Sequence, residues 1–269
     1  MKKKLIKKGL LLLCCCSLFL ENLPAQHILQ EQVSKTDSAA LFVYTDVEFS
    51  YNFSLADLKK EFGNFMAVGA GVHVKTKSNW LLGFTFNYQF SGKVRQDVVD
   101  EMFQYIMSPG TAYFISSSGL ATENVSVDYR GLNFILTAGK IIPVVKRFQN
   151  SGILLKVGLG VNQHYIFIKN PDNEVLQLNE DYRKGYDRLT LGYSLYEFIG
   201  YQHMTKKNLL CFFGGIEFQQ TFSHRQRVWD FSLMKKDDRH FFEGLIGLKI
   251  GWIIPLYKHN PYRVFQSRF

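Results

Sequence analysis

A chain of 269 residues with 46% hydrophobic residues and a mean hydropathy of −0.08 is too polar to be a bundle of membrane helices. A soluble β protein and a membrane β-barrel both fit those values, because a barrel strand turns only alternate residues to lipid. Part of the net charge of +9 comes from the start, where Lys2, Lys3, Lys4, Lys7 and Lys8 stand against Glu21. The remainder is mildly basic and gives no ground for a nucleic-acid partner.

Residues 1–25 have the three parts of a secretory signal peptide. Lys2 to Lys8 form the positive start, Leu10 to Leu20 an apolar stretch too short to span a bilayer, and Leu23-Pro24-Ala25 a cleavage site before Gln26. A lipoprotein signal built on Cys14, Cys15 or Cys16 is the alternative. It fits less well, because the residues before each cysteine are not small and Leu18-Phe19-Leu20 follows where a polar linker belongs. Beyond the leader only Cys211 remains, so an internal disulfide is excluded, and no Cys/His cluster has zinc spacing. No metal or cofactor is expected.

From residue 41 the apolar pattern has a period of two. The first strand, Leu41 to Phe53, sets Leu41, Val43, Val47, Phe49, Tyr51 and Phe53 against Asp46, Glu48, Ser50 and Asn52. The second, Phe65 to Lys75, sets Met66, Val68, Ala70, Val72 and Val74 against Ala67, Gly69, Gly71 and His73. The third alternates most plainly: Trp80, Leu82, Phe84, Phe86, Tyr88 and Phe90 against Leu81, Gly83, Thr85, Asn87 and Gln89. The fourth turns Leu132, Phe134, Leu136 and Ala138 outward, and the fifth Ile153, Leu155, Val157, Leu159 and Val161, opposite Lys156. The sixth turns out Leu189, Leu191, Tyr193 and Leu195 but then brings Glu197 onto the apolar face, which predicts a bulge or a protein-covered patch there. The seventh turns out Leu210, Phe212, Ile216 and Phe218, and the eighth Phe242, Ile246, Leu248, Ile250 and Trp252.

Strands of about ten residues suit a tilted crossing of the hydrocarbon and exceed those of a soluble sandwich. The connections alternate in length. Thr76–Asn79, Pro143–Ser151 and Met204–Asn208 are short, whereas Ser54–Asn64, Gly92–Asp128, Asn170–Arg188 and Ser223–His240 are long, as in barrels with periplasmic turns and external loops. The expected fold is all-β: an eight-stranded antiparallel outer-membrane barrel over 41–256, with periplasmic segments at 26–40 and 257–269. Ten strands would result if Thr111–Ser117 and Asn124–Tyr129 joined the wall as a hairpin.

An eight-stranded barrel is filled by its own side chains. Glu48, His73, Lys156, His164, Glu217, Glu243 and Lys249 all fall on inward positions, and buried charges must pair, so an internal ion-pair network is expected in place of a channel. Catalysis is weighed and set aside. His224 and His240, with Ser223, Ser232, Asp230, Asp237 and Asp238 nearby, sit at the outer strand ends with no diagnostic spacing, and Cys211 reads as an inward residue. In the loops, Leu55–Phe62 and Asp97–Met107 have helical patterns; in the second, Val98, Met102, Tyr105 and Ile106 share a face that docks a partner or folds over the barrel mouth. Basic residues gather on the periplasmic side: Lys75, Lys77, Lys146, Arg147, Lys206, Lys207, Lys258, Arg263 and Arg268. They solubilise turns, or meet anionic lipid headgroups or a periplasmic partner.

The segments KTKSNW (75–80), GKIIPV (139–144), KGYDRLT (184–190), EFIGY (197–201), KKDD (235–238) and GLKIGWIIPLYK (247–258) resemble a group of small outer-membrane barrels of the Bacteroidota. The resemblance covers nearly the whole mature chain and implies location, with no activity attached. Lys249, Gly251, Ile254 and Leu256 look like the strand signal read by the barrel-assembly machinery, although Leu256 in place of the final aromatic, Pro255 and the tail to Phe269 depart from it. The expected function is a non-catalytic structural or accessory subunit of an envelope assembly or secretion complex, in contact with outer-membrane lipids and other envelope proteins. Tyr186, Asp187, Arg188, Asp237 and Asp238 are its candidate interface. A small pore and a lipid-modifying enzyme are the alternatives.

Overall fold

The computed structural model describes residues 41–256 apart from 93, 104–113, 117, 120, 123–124, 146–147, 171–172, 174, 180–181 and 205–210. The leader, both predicted periplasmic segments, Tyr105, Ile106, Lys146, Arg147, Lys206, Lys207, Lys258, Arg263 and Arg268 therefore lie outside the described residues. Eight strands form one closed antiparallel ring: β1 (Phe42–Leu55), β2 (Phe65–Lys75), β3 (Trp80–Ser91), β4 (Ser126–Pro143), β5 (Gly152–Lys169), β6 (Thr190–Met204), β7 (Cys211–Arg225) and β8 (His240–Leu256). Each pairs with the next, and β8 closes on β1 from Val43↔Leu256 to Leu55↔Gly244. Closure leaves no strand edge unpaired, the condition for a sheet to sit in hydrocarbon.

Hydrogen-bonded partners followed once round the ring run Val43, Val74, Leu82, Ala138, Val157, Glu197, Phe218, Ile246 and Phe53. The path climbs β1 from residue 43 to residue 53, a shear of ten residues. For eight strands this stagger corresponds to a tilt of roughly 40°. Outward side chains alternate with buried ones along every strand.

The strands β4, β5 and β7 extend further outward than the alternation predicts. Near the external mouth the inward face becomes apolar as well. There Phe65, Tyr129, Ile166, Ile168 and Leu245 point inward and pack beneath the loops, while Tyr165, Phe167, Phe222 and Phe242 keep the outward positions aromatic. A reading that assigns apolar to lipid stops where both faces are apolar. Residues 114–115 and 121–122 pair as a separate two-stranded ribbon and do not enlarge the ring.

At Glu197 the predicted bulge is absent. Val157↔Glu197 and Glu197↔Phe218 continue both ladders in unbroken register, and the side chain is exposed on the outer face.

Two short helices lie in the external loops, α1 (Ala56–Glu61) and α2 (Gln96–Phe103). Both fold over the mouth. Leu58, Phe62, Val98, Met102 and Phe103 join Val175, Leu178 and Tyr186 in one buried apolar layer on top of the barrel.

Candidate functional site

The interior is layered along the barrel axis. Towards the periplasmic end, Phe42, Tyr44, Leu81, Ile141, Leu154, Phe213 and Ile253 form an apolar plug. Cys211 lies within it, buried and pointing inward. Above the plug, Lys249 Nζ sits 2.7 Å from Glu48 Oε1 and 2.8 Å from Glu217 Oε2. Its charge also lies 5.2 Å from the Tyr196 ring centroid. Lys156 has a different environment, with its Nζ over the Phe213 ring at 4.6 Å. His73 Nε2 is 3.0 Å from Asp46 Oδ2, and its ring stacks on Tyr44. Asn133 donates to Gln219 and Gln219 to Thr221. Nearer the mouth, His164 Nε2 lies 2.9 Å from Glu243 Oε1, which also accepts from the Ser223 hydroxyl at 2.7 Å.

All seven sequence-predicted interior residues therefore point inward, but they divide into separate groups. Lys249, Glu48 and Glu217 form one, His164 and Glu243 another. His73 belongs with Asp46, which the sequence reading left out although inward parity on β1 places it two residues from Glu48. Desolvating such ions costs several kcal/mol each, so their close pairing is required for the fold to persist.

A second constellation caps the mouth. Arg188 reaches every external loop. Its guanidinium lies 3.4 Å from Glu61 of the first loop and 3.2 Å from Glu101 of the second. Its own backbone belongs to the third, and it donates to Ser232 of the fourth at 3.3 Å, with Asp230 3.8 Å away. Arg188 sits at a positive φ of 47°, a left-handed turn that ends the third loop just before β6. Arg225, at the end of β7, donates to the Arg188 carbonyl at 2.8 Å and pairs with Glu61. A cleft of about 510 Å³ beside this cluster is lined by Asp57, Lys60, Glu61, Asp97, Glu101, Arg188, Arg239 and His240.

The predicted interface residues need correction on this geometry. Tyr186, Arg188 and Asp237 are buried. Tyr186 packs against Phe103 and Phe231, and Asp237 holds Arg239 at 2.8 Å, so these three bind the lid together and offer a partner no surface. Asp187 is partly covered and pairs with Arg227. Asp238 is exposed, 2.6 Å from Lys236. The lid cluster itself escaped sequence analysis because Glu61, Glu101, Arg188 and Asp230 are far apart in the chain. Of the basic residues predicted on the periplasmic side, Lys77 is exposed, whereas Lys75 is buried over the Phe42 ring.

Of the groups weighed for catalysis, His224 and His240 come together as register partners of β7 and β8, with ring centroids 6.1 Å apart, but the serines lie elsewhere. Ser223 points into the barrel and binds Glu243, whereas His224, the next residue, points out and contacts Gln226. Ser232 donates to Asp230 within the lid.

The Asp237 carboxyl titrates below the ordinary aspartate range. Burial alone would raise it, but two hydrogen bonds from the Arg239 guanidinium, one from its backbone N–H and the charge of Arg225 outweigh burial. A depressed carboxylate stabilises the fold above its unfolded value, near 3.9, and loses that contribution as pH falls through the folded value. Loop protection from proteolysis should therefore stay level from pH 7 to about 4 and fall below it. Asp237→Asn, with no charge to lose, should show a smaller acid step.

A closed eight-stranded wall, apolar outside, filled inside and carrying long loops at one end, defines an integral outer-membrane β-barrel. No protein-family model and no curated protein sequence matches the chain. Among solved structures it is similar to Ail, the attachment invasion locus protein of Yersinia pestis, in complex with the heparin analogue sucrose octasulfate. That likeness has 10% identity and a TM-score of 0.39, covering 80% of this chain and 99% of that one. It is also similar to Neisserial surface protein A, at 7% identity and a TM-score of 0.39, covering 78% of this chain and 96% of that one. For OprG of Pseudomonas aeruginosa the values are 10% and 0.34, covering 81% and 97%. Identities and scores this low carry nothing about ligands or partners.

Proposed function

We propose that this chain is a non-catalytic accessory subunit of an envelope assembly or secretion complex, and that its partner binds the outer lid. The observation that carries this reading is the joining of all four external loops at Arg188 above a filled interior. Loops tied together at one residue leave less order to be imposed on binding, which favours recognition. Apolar side chains stand on the lid. Val228 is 81% exposed and Trp229 48%, with Tyr182 and Met234 also exposed on the third and fourth loops. An exposed tryptophan beside valine is the kind of anchor that dominates protein interfaces.

The test is mild extraction of the tagged protein from native outer membranes. One other envelope protein should accompany it in constant ratio, and Trp229→Ala with Val228→Asp should release that protein. Repeated extraction without any second protein overturns the proposal. Planar bilayers supply the counter-test. The packed interior should give no step conductance, and regular steps would replace this reading with a small pore.

A further inference from the structure

Among the described residues, Glu197 is the one carboxylate near the middle of the lipid-facing wall. On the path of nine outward positions that circles the barrel through it, from Val43 to Phe53, every other residue is apolar. It lies at the midpoint of β6, seven residues from either end. The outward face of that strand reads Tyr193, Leu195, Glu197, Ile199, Tyr201, with a tyrosine towards each membrane surface. With a rise of about 3.3 Å per residue and a tilt of roughly 40°, each tyrosine is about 10 Å from Glu197 along the membrane normal. The carboxyl is therefore near the bilayer midplane, and its short side chain cannot reach either interface. Among the described residues it makes no hydrogen bond or ion pair. The nearest outward amide, Gln220, faces Leu195 towards the external side. Ionisable groups in hydrocarbon need a partner, and acyl chains have neither donors nor acceptors.

We propose that Glu197 is the centre of a two-fold interface with a second copy of this chain. Copies in one membrane share an orientation, so their two-fold axis runs along the membrane normal, and residues near that axis meet their own counterparts. Strands tilted by roughly 40° cross at about 80° when two barrels face each other, and so approach closely only at the crossing. For β6 a crossing at Glu197 leaves equal lengths of wall on both sides. A carboxyl that carries its proton both donates and accepts, so the two Glu197 side chains satisfy each other with no net charge. Leu195, Ile199, Val157 and Phe218 surround this pair with apolar wall. The inference is independent of the lid and its partner.

The full mature chain, reconstituted in lipid bilayers, provides the test. Association is read by subunit counting over a range of protein-to-lipid ratios, and cross-linking is read in native outer membranes through Glu197→Cys. Wild type should dimerise. Glu197→Leu should weaken association roughly tenfold, the loss expected for hydrogen bonding in hydrocarbon. Glu197→Gln, which still donates and accepts, should retain it. The cysteine should yield a disulfide-linked homodimer. Leucine at a lipid-facing position threatens no fold, and heat-modifiable migration on gels checks that the barrel is intact. A wild type monomeric at every ratio, a Glu197→Leu variant as dimeric as wild type, or capture of a different protein by the cysteine would overturn the proposal.

Discussion

Arg188→Ala should open the lid while the barrel stays folded in the membrane. The guanidinium is 3% exposed and touches acidic or hydroxyl groups from three loops besides its own. Truncation leaves Glu61 and Asp230 crowded and part-buried with one cation fewer. Breaking a buried ion cluster by removing one member costs about 3–5 kcal/mol, because the remaining charges stay desolvated. The loss is confined to the lid, since the strands keep their own ladders. Limited proteolysis from outside the cell should then cut the fourth loop around Asp230–Ser232 faster than in wild type. The barrel should still migrate as a folded species without heating. Arg188→Lys should protect only in part, because a single ammonium cannot address four directions with a planar fork. If the alanine variant resists protease as wild type does, the four loops are held by the apolar layer beneath and not by Arg188.

The second large effect lies in the barrel. Lys249→Met should destabilise the folded barrel in urea by about 3–5 kcal/mol, since Glu48 and Glu217 would face each other without their shared cation. Glu48, Glu217 and Lys249 are all at most 5% exposed, so solvent does little to screen them. Adding Glu48→Gln and Glu217→Gln to Lys249→Met should restore much of the loss, because the penalty comes from uncompensated charge. Refolding into lipid vesicles at graded urea measures both variants. Failure of the triple variant to recover would mean that the lysine stem, packed near Tyr196, matters more than its charge.

The wall was legible in the sequence wherever one face met lipid. From Trp80 to Phe90 the alternation alone defines β3 within a residue of its observed end. The outer end of the wall is not legible, because Tyr129, Ile166 and Ile168 put apolar residues on the inward face as well, which blurs the alternation. Interior residues such as Glu48, Lys156 and Lys249 followed from parity, since inward and outward positions differ by one residue. Which acid meets which base did not follow, because ring closure sets it: Lys249 and Glu48 come from the two strands that close the barrel, 201 residues apart. The lid cluster was hidden for the same reason. Its members share no local pattern, and each looks like an ordinary loop charge until the strands bring the four loops to one rim. Glu197 is the reverse case. It broke the local pattern, and the structure keeps the break on the surface with no backbone irregularity to absorb it.

The first loop ties the lid to the seam of the ring. Its helix leans across the joint between the first strand and the last, where Ala56 bridges to Glu243 and the Asp57 carboxylate accepts the backbone N–H of Phe242. These receptors for the loop arrive only with the final strand. On its other side the loop is held by the second loop, where the Arg95 backbone N–H donates to the Glu61 carbonyl, and the Glu61 carboxylate is the acid that Arg188 and Arg225 share. The lid is thus fastened in part to the seam itself, so its finished shape and the closure of the ring arrive together.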